Sequence, residues 1–179
     1  MSMMSPGLFR RLASGFYDAL IMVAICMLAT LIIVPFAPGR DLHAFYADQA
    51  TVKLVYQLGL LALGFAFFGG FWIHGGQTIG MRAWKLRVVC MDGRPLGWHR
   101  ALVRYLCMLI PWLLLLLGCE FLIGAGGHPQ AGIYSSMGIG ILMLSCLAFV
   151  WPAIDLQRLA WHDRLSSTRL IALPSSHDH

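Results

Sequence analysis

Four stretches of about 20 mostly apolar residues, near 19–37, 54–73, 105–123 and 137–154, constrain this chain more than any other feature. A helix rises about 1.5 Å per residue, so about 20 such residues cross the hydrocarbon core of a bilayer. Lipid offers no hydrogen bonds, and a helix satisfies its backbone N–H and C=O groups internally. The remaining sequence agrees. Only 12% of the 179 residues are charged, against roughly 25% in an average soluble domain, and the mean hydropathy is +0.72. Too few polar side chains exist to cover a water-facing surface. We therefore expect one domain, an all-α membrane protein built as a bundle of four transmembrane helices and solvated largely by lipid.

The first stretch follows paired arginines in "FRRLASGF", as the core of a cleaved leader does. Asp18 interrupts its start, the run exceeds the usual 7–15 residues of a leader core, and no Ala-x-Ala follows, so a retained span is expected. Cations set the direction. Eleven of the thirteen Lys and Arg fall in 1–18, 74–104 and 155–179, leaving only Arg40 and Lys53 between the other spans. This bias places both termini, the 74–104 loop and the 155–179 tail in the cytoplasm, as an even number of spans requires. The net charge of +5 follows the membrane flanks and forms no stripe or aromatic-interleaved patch, which argues against a nucleic-acid partner.

The loop opens with "GGQTIGMR", which nearly spells a phosphate-binding loop. Such a loop needs Lys and then Ser or Thr after its last glycine, and it joins a strand to a helix. Met81 and Arg82 stand there instead, behind an apolar run. Gln77 and Thr78 offer hydrogen bonds, Gly80 lets the chain bend, and Arg82, Lys85 and Arg87 can lie at anionic headgroups. Leu86, Val88 and Cys90 then alternate with Arg87, Val89 and Met91, the Asp92-Gly93 pair suits a tight primed turn, and Arg94 to Leu96 can return. A small cytoplasmic β-hairpin between the second and third spans is expected.

Three blocks together resemble the RDD family of bacterial membrane proteins: "FRRLASGFYDALI" at 9–21, "GQTIGMRAWKLRVVCMDGRPLGWHRALVRY" at 76–105 and "LAWHDRLSSTRLI" at 159–171. The likeness runs in order along nearly the whole chain. It implies an inner-membrane protein whose named arginine is Arg11 and whose named aspartates are Asp18 and Asp163, with transport of an unidentified ligand as the suggested role. Met81 replaces a basic residue of the pattern, and Ser166-Ser167 replaces an Ala-Gly pair.

Asp18 follows Arg11 by seven positions, placing both on one helix face about 10 Å apart. A carboxylate at the edge of lipid should face the bundle and find a partner, with Arg11, Arg104 or Arg164 as candidates. It either pins the first helix to its neighbours or exchanges a proton or cation. For Asp163 a loop arginine, Arg82 or Arg87, is the expected partner, so that the tail clamps the loop. The tail spacing of Ile154, Trp161 and Leu165 suits a helix lying flat on the membrane. Trp72, Trp112, Trp151, Tyr17 and Tyr105, near span ends, suit the headgroup belt. The five cysteines and seven histidines show no metal-ligand spacing, so no metal or cofactor is expected. No nucleophile elbow or paired catalytic carboxylate stands out, and no enzyme is expected. Three roles remain: a small transporter or ion or proton exchanger, needing a homo-oligomer because four helices enclose little path; a non-catalytic partner within a larger membrane complex; or a sensor or lipid-binding module that uses the basic face on anionic lipids.

Overall fold

The computed structural model describes residues 5–33, 50–126, 130–157 and 159–173. It is mostly helical. In chain order come α1 (Leu8–Ile33), α2 (Ala50–Gly75), α3 (Ile79–Ala83), β1 (Leu86–Cys90), α4 (Trp98–Ala125), α5 (Ala131–Ile154), α6 (Trp161–Leu165) and β2 (Thr168–Ala172). Among the described residues four helices are long and apolar enough to cross a membrane, consistent with an all-α bundle. α1 begins eleven residues before its apolar run and α4 seven before its own, because a helix continues into polar sequence once its hydrogen-bond ladder is started. The end of the first expected span, 34–37, lies outside the described residues.

Where lipid supplies no hydrophobic drive, the long helices meet through small residues. A Cβ on Gly118 would come within 3.2 Å of the Gly138 carbonyl oxygen, and one on Gly138 within 3.1 Å of that of Gly118, so α4 and α5 nearly touch backbones there. Buried Ser145 of α5 donates to the Pro111 carbonyl of α4 at 2.9 Å. On α2, bare Gly64 admits the Tyr105 hydroxyl, which donates to the Leu61 carbonyl at 3.0 Å.

At the end where α1 and α4 begin and α2 and α5 finish, the polar segments fold into a cap. Thr78 starts α3, its hydroxyl accepting from Met81 N at 3.2 Å. β1 pairs antiparallel with β2, Leu86 opposite Ala172 and Cys90 opposite Thr168. A two-stranded sheet is thus present, with the tail supplying its second strand. A turn does form there, with Gly93 at φ 81° and Cys90 N donating to the Arg94 carbonyl at 3.0 Å, but it is not the primed turn expected, because Asp92 does not take a positive φ. Arg94 to Leu96 carries no strand. Thr168–Ala172 is the better partner because its Thr, Leu and Ile suit a pleated, half-buried surface and it places Leu170 inward beside Val88. Among the described residues of the tail only Trp161–Leu165 is helical, so the single flat helix expected there gives way to a short helix and a strand.

Leu86, Val88, Cys90 and Leu170 pack on Phe68, Trp72, Met81, Leu96, Ala101 and Tyr105 to form the core. Trp72 and Tyr105 are therefore buried beneath the sheet, not set in a headgroup belt. Cys90 is buried, while Cys119 and Cys146 are exposed on the long helices.

Candidate functional site

Two buried carboxylates organise the cap, and they are satisfied in different ways. Asp163 is 0% exposed. Its Oδ2 accepts from Arg11 Nη1 at 3.0 Å and from the Ala160 backbone N at 3.0 Å. Its Oδ1 accepts from Arg104 Nη1. The same Arg104 nitrogen donates to Thr168 Oγ1 at 2.7 Å, and Thr168 meets Ser166 Oγ at 2.7 Å. The Arg104 guanidinium also lies over the Trp72 ring, 5.3 Å from its centroid. One carboxylate thus joins the start of α1, the start of α4 and the tail.

Burial alone would raise the Asp163 pKa, but Arg104, His162 and Arg11 together hold it well below the ordinary carboxylate range. Charge-assisted bonds this well placed favour the ionised form. His162 Nε2 stands 3.7 Å from Asp163 Oδ1. Burial lowers the His162 pKa to about 4, and Arg104 and Arg11 reinforce burial against the pull of Asp163. The ring is neutral at neutral pH.

Asp18 is 3% exposed, on the face of α1 that meets α3. Its Oδ2 accepts from Thr78 Oγ1 at 2.5 Å and its Oδ1 from Gly80 N at 2.8 Å. Among the described residues no Lys, Arg or His lies within ion-pair distance of it. The expected arginine partner is thus replaced by two neutral donors. Arg11 and Arg104 are committed to Asp163, and Arg164 Nη2 donates to Asp155 Oδ1 at 2.5 Å. Gly80 makes the contact possible: a Cβ there would meet Ser14 O at 2.3 Å and Asp18 Cγ at 2.9 Å.

The loop residues take structural places. Gln77 Nε2 donates to the Leu86 carbonyl at 2.7 Å and Arg87 Nε to the Gly75 carbonyl at 3.1 Å, both closing the α2–β1 corner. The Arg82 guanidinium stands 5.8 Å from the Phe71 ring centroid. Neither Arg82 nor Arg87 pairs with Asp163. The tail does clamp the loop, but through the β1–β2 backbone ladder, which needs no charged partner. Glu120 is exposed on α4.

Sequence reasoning passed over Trp72, Ser166 and Thr168 as members of the Asp163 cluster. The Thr168 hydroxyl, at an inward position of a β-branched strand, was the legible signal. Arg10 was counted only as a cation, yet its Nη2 donates to the Trp84 carbonyl at 2.7 Å.

Among the described residues no group of three His, Cys, Asp or Glu stands together to hold a metal ion. The arrangement can do two things: fix three chain segments through Asp163, and present at Asp18 a buried carboxylate without a countercharge. The profile of the RDD family matches residues 5–167, most of the chain. Comparison with curated proteins and with solved structures gives no match.

Proposed function

The chain belongs to the RDD family, and on that premise we propose that this multi-pass membrane protein is a small ion or proton exchanger in which Asp18 carries the exchanged charge. The observation that carries this reading is the buried Asp18 carboxylate, held by Thr78 and Gly80 with no cation beside it among the described residues. An ionised carboxylate near lipid costs roughly 2.5–3.5 kcal/mol on insertion scales, and neutral donors offset only part of that. A proton or a small cation supplies the missing charge. Asp163 is unsuited to the task, because two guanidiniums already neutralise it. The role is separated between the acids: Asp163 holds the cap together and Asp18 exchanges.

The charge bias supports cytoplasmic termini, since the three basic segments meet in the cap, and the family likeness supports inner-membrane placement. An oligomer completes the path, as four helices alone enclose little, and no catalytic step belongs to this reading. The test is flux in proteoliposomes under imposed pH and monovalent-cation gradients. Wild type should dissipate a gradient faster than empty vesicles, and Asp18→Asn, which keeps an acceptor for Gly80 N, should abolish the difference while the protein stays folded. Unchanged flux in Asp18→Asn sinks the proposal.

A second reading, a non-catalytic partner in a larger membrane complex, draws on the exposed cations Lys85, Arg87 and Arg94 around the cap. Purification from native membranes in mild detergent should then retain a stable companion. Recovery of this chain alone, repeatedly, would count against it.

A further inference from the structure

The corner where α1 meets the end of α3 gathers aromatic rings and cations in a way neither carboxylate requires. Trp84 closes α3 and makes edge contacts with Phe9, at 5.6 Å between centroids, and with Tyr17, at 6.5 Å. Arg10, between those two on α1, spends one Nη on the Trp84 carbonyl. A guanidinium has five N–H donors, so most of that capacity remains. Lys85, the next residue, is exposed and held at φ 54°. Few non-glycine residues adopt that conformation, and here the chain turns just after the helix and before β1.

Above this corner the α1 surface is apolar and open. Phe9, Phe16, Leu20, Val23, Met27 and Leu31 recur at near-helical spacing and are each more than half exposed. They form one stripe along the span, with the aromatic and cationic corner at its foot. Cations beside rings at the end of a lipid-facing stripe match an anionic phospholipid in both parts: phosphate at the foot, acyl chain along the stripe. We propose that Arg10 and Lys85, framed by Trp84 and Phe9, form a headgroup site for an anionic phospholipid whose tail lies on α1. The site stands independently of the exchange reading, since it uses neither Asp18 nor Asp163.

Native mass spectrometry on protein released from vesicles of equal phosphatidylglycerol and phosphatidylcholine tests it. Wild type should retain phosphatidylglycerol preferentially. Each cation near an anionic surface is worth a factor of roughly five, so Lys85→Gln should lower that retention about fivefold and Arg10→Gln with Lys85→Gln by more. Arg94→Gln, on the exposed turn away from the corner, should leave it unchanged. Equal retention of the two lipids by wild type, an unaltered ratio in Lys85→Gln, or an equal fall in Arg94→Gln, which marks diffuse attraction instead of a site, would each overturn the proposal. Should the double variant fold poorly, the exposed single variant still decides. Flux through Asp18 is a separate measurement, so either reading can fail alone.

Discussion

Arg11 and Asp163 stand 152 residues apart in sequence and 3.0 Å apart in space, Nη1 to Oδ2. The first helix and the tail are thereby tied at one point, and Arg104 ties α4 to the same carboxylate. Two guanidiniums on one acid make a cluster whose members depend on each other unequally: Asp163 is fully buried and Arg104 3% exposed, while Arg11 lies at the rim.

That inequality predicts an order of loss. Asp163→Asn keeps the shape but leaves two cations without their anion, and breaking a buried pair from one side costs roughly 3–5 kcal/mol. Arg104→Gln should approach that cost. Arg11→Gln should cost roughly 1.5–3 kcal/mol, the range for one charge-assisted bond. Thermal unfolding in detergent gives the ranking, and equal losses for Arg11→Gln and Arg104→Gln would contradict the shared-carboxylate geometry.

The second carboxylate predicts a steric effect. Gly80 lies so close to α1 that a Cβ would reach backbone Ser14 O at 2.3 Å, and backbone cannot swing aside as a side chain can. Gly80→Ala should separate α3 from α1, strip Asp18 of its backbone donor and cost more than about 2 kcal/mol. Gly59, with nothing within 4 Å of its added Cβ, is the control. Gly59→Ala should leave the melting temperature unchanged or raise it, since alanine favours the helix by up to about 1 kcal/mol.

The long helices were legible because length and hydropathy alone define a span. Their ends were less so: the spacing of Arg11 and Asp18 already carried the first helix into polar sequence, but Arg104 lies in helix that hydropathy reads as loop. Likewise the alternation from Leu86 to Cys90 announced a strand, but the nearest return strand was not the one used. Pairing follows whichever segment can bury its face, and Thr168–Ala172 is far away in sequence. The named acids were visible as residue types. Their partners were not: charge matching pointed Asp18 to an arginine, whereas the fold offers it the Thr78 hydroxyl and the Gly80 amide, which the sequence marked as polar or bending residues but did not connect to that acid. Asp163 did find arginines, though not the loop ones.

Ser167 offers a change in the opposite direction. It is held at φ 52°, where a Cβ crowds the carbonyl and costs roughly 1–2 kcal/mol relative to ordinary helix geometry. Glycine pays no such penalty but has more freedom to lose on folding. The net expectation for Ser167→Gly is a gain of about 0.5–1 kcal/mol, while Ser167→Val should destabilise. A fall in melting temperature for the glycine variant would show that the Ser167 side chain, and not its backbone, decides the turn.

Acid should weaken the cap in two separate windows. The folded His162 pKa of about 4 lies below its ordinary 6.5. Between those values the unfolded chain takes up a proton that the folded chain refuses. The contribution of neutral His162 is therefore fully present above pH 6.5 and is lost as pH falls toward 4, by at most about 3 kcal/mol. Asp163 acts lower. Its folded value is depressed from 3.8, so its contribution is present above that pH and is lost only as pH drops further. His162→Asn should flatten the melting temperature between pH 6.5 and 4 and leave the steeper fall beneath it intact. If the variant and wild type lose stability in parallel across the upper window, His162 is not the group being titrated there.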